Sequence, residues 1–121
     1  MIERERGMMR EFKTGATRDS NDNKLDYEGF NHPIVDKSFA EYMHFHRKQT
    51  DGKLRDSDNW QKGIPLDVYA KSLHRHFEDF RLHHRGYPEL AVEPDIVQVL
   101  DAIKFNVNGY LYEILKKKEE K

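Results

Sequence analysis

The chain has no cysteine, only four prolines, and no apolar run near the roughly 18 residues that a membrane helix needs. The missing cysteine excludes a disulfide framework and cysteine-ligated zinc, and it suits a reducing cytosol. The opening Met1-Ile2-Glu3-Arg4-Glu5-Arg6 lacks the apolar stretch of a signal peptide, so the expectation is a soluble protein of the cytoplasm with no membrane partner. An excess of one charge is missing too. Twenty-one Lys and Arg stand against 22 Asp and Glu, a net charge of -1, which gives no molecule-wide field for DNA binding. Glycine-rich phosphate loops, a Gly-x-Ser-x-Gly elbow and a Cys/His nucleophile arrangement are also lacking, so the common nucleotide and hydrolase motifs give no guidance.

What remains is a polar chain of 121 residues, 36% hydrophobic and 36% charged, whose core must come from a few well-patterned segments. It is read as one domain, residues 1–121. Residues 1–12 are expected to form an arm and 13–32 an irregular stretch, because residues 15–23 are mostly small or polar turn formers. Leu25, Tyr27 and Phe30 are expected to pack onto helices. Helices are predicted over 33–48, 65–85 and 94–117. The first carries Val35, Phe39, Tyr42, Met43 and His46 at helical spacing, the second Leu66, Tyr69, Leu73, Phe77 and Phe80, and the third a longer stripe from Ile96 to Leu115. Gly86 is the expected C-cap of the second helix, and the closing lysines suit the negative end of the third helix's dipole. A long loop, rich in Asp, Asn and Gly, joins the first two helices. The fold class is all-α, a small bundle of three main helices.

Several side chains are chemically suggestive. Ser72, Arg75, His76, Asp79 and His83 recur every three or four residues and can share one surface, either as a phosphate site or as a solvated face with an Arg75–Asp79 pair. Trp60 lies in the long loop and either stacks a base, with Arg18, Lys24 and Lys62 against phosphates, or plugs the core. Asn106 sits on the apolar line of the last helix, so its amide needs a partner, from a neighbouring helix or from a ligand. Gly109 implies a close approach there. Seven histidines invite a metal, but His44/His46 and His74/His76 are two apart and point to different helix faces; none has the i,i+4 zinc spacing. Magnesium would draw on Glu78, Asp79 and Asp101, although no Glu-x-x-Glu signature is present.

Thr14-Gly15-Ala16-Thr17-Arg18, Asp58-Asn59-Trp60-Gln61-Lys62-Gly63-Ile64-Pro65 and Arg75-His76-Phe77, followed by the late helix with Asn106, together resemble a phage family. This is the small domain at the N-terminus of phage dATP/dGTP diphosphohydrolases, often compared with all-α MazG-like nucleotide pyrophosphatases. The resemblance implies a protein that handles a purine or cyclic nucleotide in the infected host cell, with Arg18, Lys62, Arg75 and His76 near phosphates and Trp60 near the base. It implies Mg²⁺ if the phosphoanhydride is hydrolysed. The sequence departs from relatives after the Arg-His helix, where His83-His84-Arg85-Gly86-Tyr87 replaces an acidic Gly-Glu stretch. Three expectations follow: a nucleotide binder that sequesters a host immune signal, a Mg²⁺-dependent diphosphohydrolase, or a protein-interaction module. Homo-oligomerisation is expected because three helices leave much of their apolar stripes uncovered.

Overall fold

Helical periodicity in the sequence becomes three long helices in the computed structural model, which describes residues 9–20 and 23–120. The chain divides into two compact units, Met1–His32 and Pro33–Lys121.

In the N-terminal unit, β1 (Met9–Glu11) pairs antiparallel with β2 (Thr17–Asp19), in the register Met9↔Asp19, Arg10↔Arg18 and Glu11↔Thr17. Between them Phe12 N–H donates to the Ala16 carbonyl at 2.8 Å, and Gly15 adopts φ 93°, a conformation that favours glycine. This hairpin corrects the irregular segment expected there: three-residue strands rich in charge carry no apolar alternation to announce them. The arm expected at residues 1–12 lies, for its first eight residues, outside the described ones, as do Asn21 and Asp22. A single turn, α1 (Tyr27–Phe30), is capped by Asp26, whose carboxylate accepts from Gly29 N–H at 2.8 Å. Leu25, Tyr27 and Phe30 are each more than two-thirds exposed, since within this unit one helical turn offers no face wide enough to bury three such side chains.

The second unit holds α2 (Pro33–Phe45), α3 (Leu66–His84) and α4 (Ile96–Glu119), with 3-10 turns at Asn59–Lys62 and Pro88–Leu90. Pro65 immediately precedes α3, and Asp95 caps α4 by accepting from Val97 N–H at 2.9 Å. Gly86, at φ 90°, ends α3, and the following Tyr87 N–H reaches back to the Leu82 carbonyl at 2.8 Å. The most extensive packing is α3 on α4, centred on Tyr69, Val99 and Ala102, the buried hydrophobic residues among those described. Gly109 is buried because the Tyr69 ring lies against it. α2 packs on α4 through Ser38, whose hydroxyl donates to the Asp101 carboxylate at 2.7 Å, and through Lys104, which sits 4.9 Å from the Phe39 ring centroid. No helix among the described residues is long and apolar enough to cross a membrane.

Candidate functional site

The stripe on α3 is absorbed by the fold. Asp79 is buried, and its two oxygens accept from the backbone N–H groups of Val92 and Glu93 at 3.0 and 3.1 Å. His83 Nε2 lies 2.8 Å from the Glu93 carbonyl, so both residues fasten the α3–α4 connection to α3. Asp79 therefore makes no pair with Arg75, which is exposed, and Glu78 instead meets Arg81 at 3.1 Å. Asp101 receives the Ser38 hydroxyl. These three carboxylates do not suit a magnesium site: the two aspartates bond within the protein, and no group of three or more His, Asp or Glu among the described residues is arranged to hold a metal. Asn106 is buried and donates to the Ala102 carbonyl of its own helix at 2.8 Å, so this bond ties one turn of α4 and not two helices. Arg18, on β2, and Lys24 are exposed and belong to the N-terminal unit.

A cleft of about 520 Å³ opens instead where the end of α2, the following loop and the Trp60 turn meet α4. The loop between α2 and α3 builds its basic wall. Helix α2 stops at Phe45, three residues short of the predicted end, because the chain folds back on itself. Lys48 bridges Leu54, Gln49 N–H donates to the Lys53 carbonyl at 2.8 Å, and the turn runs through Asp51 and Gly52, with Gly52 at φ 84°. This return brings Arg47 and Arg55 together: Arg55 N–H donates to the Arg47 carbonyl, and Arg47 Nε donates to the Arg55 carbonyl, both at 2.8 Å. Arg55 Nη2 donates to the His46 carbonyl at 3.0 Å. Both guanidiniums are thus anchored on backbone carbonyls, Arg47 Nη1 also lies 3.5 Å from His44 Nδ1, and each retains further N–H donors.

Aromatic rings also line the cleft. Trp60 stands edge-on to Tyr112 and Phe105, at centroid separations of 5.1 and 6.4 Å, and it also lines the cleft with Phe105. Trp60 thus packs against α4 and also lines the cleft. Lys116 steadies this turn by donating to the Gln61 carbonyl at 3.4 Å. Lys62 is exposed beside Trp60 and does not line the cleft.

His44 and His46 both line the cleft, contrary to the opposite faces expected from helical spacing, because His46 lies beyond the helix end. The His46 ring contacts Tyr42 at 4.3 Å and Phe45 at 5.3 Å between centroids. Burial, then Arg55, then His76 hold His46 below the ordinary imidazole range. His76 is also held low, by burial and Arg75, with Asp79 acting in the opposite sense. Burial, Asp101 and Glu93 raise the Tyr42 phenol. Asp56 is the cleft's carboxylate.

Of the residues singled out from sequence, then, Trp60 lines the cleft and His76 acts on its wall, while Lys62 and Arg75 lie outside it. His44, His46, Arg47 and Arg55 were missed as ligand groups; the signal was the basic and aromatic run Tyr42-Met43-His44-Phe45-His46-Arg47 leading into an Asp51-Gly52 turn. A second groove, about 720 Å³, runs between α3 and α4 and is apolar apart from His74, with Leu73, Phe77, Val107, Tyr110, Leu111 and Ile114 along it. No protein-family model, curated protein or solved structure matches the chain.

Proposed function

We propose that the second unit binds a nucleotide-type ligand in the Trp60 cleft, as a binding protein that sequesters its ligand. The observation that carries this reading is that Trp60 and Phe105 line one cleft together with Arg47 and Arg55. A flat base has an aromatic surface to meet, and an anionic phosphate has two guanidiniums with free donors. The cleft is of the size that small-molecule sites usually have, about 300–1,000 Å³. The resemblance of the Asn59-Trp60 and Arg75-His76 segments to phage dATP/dGTP-handling domains points to the same class of ligand, with a host purine or cyclic nucleotide signal as its source. Protein cations, and not Mg²⁺, neutralise the phosphate in this reading, because the carboxylates of a hydrolytic site are engaged within the fold.

Trp60 is the chain's only tryptophan, which makes the test direct. Titration with dATP, dGTP and a cyclic purine dinucleotide in chelator should change Trp60 fluorescence, and chromatography after denaturation should return the ligand intact. Arg55→Ala should weaken binding at least tenfold, about 1.4 kcal/mol, as loss of a charge-assisted contact does. Unchanged fluorescence with every nucleotide at high protein concentration would sink the proposal, and Mg²⁺-dependent pyrophosphate release would replace sequestration with hydrolysis. The apolar α3–α4 groove favours a second activity, self-association, with another copy of this chain as the partner.

A further inference from the structure

The basic wall of the cleft mixes two kinds of cation. A guanidinium is a permanent cation, whereas an imidazole gains or loses its charge with its surroundings, and burial with Arg55 holds His46 below the ordinary imidazole range. His46 is surrounded on several sides: Tyr42 and Phe45 contact its ring from its own segment, Arg55 faces it from the returning loop, and His76 faces it from α3. Arg75 and Asp79 flank His76 on α3, while Asp101 of α4 and Glu93 of the connection act on Tyr42. His44 Nδ1 lies 3.5 Å from Arg47 Nη1. Before a ligand enters, a proton on His46 would add one more positive charge among the guanidiniums. An anion seated between Arg47 and Arg55 reverses that local field.

We infer that the cleft is a proton-coupled anion site, in which His46, lining it together with Arg47 and Arg55, takes a proton from solvent as an anionic group enters, so that binding tightens as the pH falls. This inference rests on the nucleotide reading and adds a regulation to it. The sign follows from the groups in contact. Without ligand, burial and Arg55 favour neutral His46, and burial and Arg75 favour neutral His76. A bound phosphate supplies negative charge beside His46, which lines the cleft, and favours its imidazolium. Proton uptake therefore accompanies binding between the lowered affinity of the free imidazole and its raised affinity in the complex. Above that window the imidazole stays neutral and the anion is held by Arg47 and Arg55 alone.

Calorimetric titration with dATP, dGTP and a cyclic purine dinucleotide, without metal, from pH 8 to pH 5.5 and in two buffers of different ionisation enthalpy, measures both affinity and protons taken up. The native chain should bind roughly threefold more tightly at pH 6 than at pH 7.5, the part of the gain that falls in this interval when binding makes one imidazole about tenfold more basic. A terminal phosphate titrates in the same interval, so the decisive quantity is the difference in slope between the native chain and His46→Gln with the same probe. His46→Asn should reduce the slope equally, and it serves as the independent variant if circular dichroism shows that His46→Gln has lost helix. Equal slopes in native and variant chains, or binding without proton uptake, would overturn the inference while leaving the nucleotide reading intact. No binding of any probe at any pH would overturn both.

Discussion

Gly109 illustrates how one missing methyl group positions a core. The Tyr69 ring occupies the space that a β-carbon at position 109 would need, so a side chain there must push the ring out of the α3–α4 interface. Alanine would gain about 1 kcal/mol of helix propensity, yet overpacking a core contact costs roughly 1–3 kcal/mol. The steric term wins here because the obstacle is a rigid aromatic ring. Gly109→Ala should therefore lower the urea midpoint, and the loss should shrink in a Tyr69→Leu background, where the ring is gone; equal losses in both backgrounds would refute the contact as the cause. Sequence alone located the close approach at Gly109 but not what approaches, because only the pairing of α3 with α4 brings residue 69 to it. Asn106 was harder to read: its position on the apolar line was visible, while its bond to Ala102 is a choice of side-chain rotamer that periodicity does not encode.

At the scale of elements, the three helices were legible because their starts carry Pro33, Pro65 and Pro94-Asp95, and because their apolar residues repeat every three or four positions. Their observed bounds differ from prediction by at most three residues. The hairpin of the N-terminal unit was not legible, since strands reading Met-Arg-Glu and Thr-Arg-Asp have no buried face to pattern them. Nor was most of the cleft, whose basic wall depends on backbone bonds between Arg47 and Arg55 and so on a local return of the chain. The α3–α4 connection gives a test at this scale. Two backbone N–H groups converge on Asp79, and a neutral amide oxygen accepts them less strongly while its NH₂ faces a second donor. Asp79→Asn should cost about 1–3 kcal/mol of stability in chemical denaturation. It should also speed amide hydrogen exchange at Val92 and Glu93; unchanged exchange there would show that the carboxylate does not hold the connection.

For the molecule as a whole, two properties follow from the distribution of charge and apolar surface. The first is acid sensitivity. Folding lowers the proton affinity of His46 and His76, so the unfolded chain binds protons more readily. The stabilisation from keeping them neutral is complete above the unfolded value of about 6.5 and is lost as the pH falls through it toward the folded values. The melting temperature should drop between pH 7 and pH 5 by more in the native chain than in the His46→Gln, His76→Gln double variant, and parallel curves would refute these histidines as the source. The second, self-association, is a proposal that rests on apolar surface. Tyr69, Val99 and Ala102 are the buried hydrophobic residues among those described, whereas Phe77, Val107 and Leu111 remain 47%, 46% and 51% exposed along the α3–α4 groove. Together with Tyr110 and Ile114 they form a continuous apolar strip, the kind of centre around which a stable interface of roughly 800 Å² per partner is built. A second copy brings an identical strip, and a two-fold contact lets each α3–α4 pair cover the other, giving four helices around a shared core. Light scattering should then report a multiple of the 14.5 kDa chain mass. Leu111→Glu places a charge in the middle of that contact and should return the mass to one chain, with a lower melting temperature that no longer rises with protein concentration. A native chain that scatters as a single copy at every concentration would refute the groove as a self-association surface.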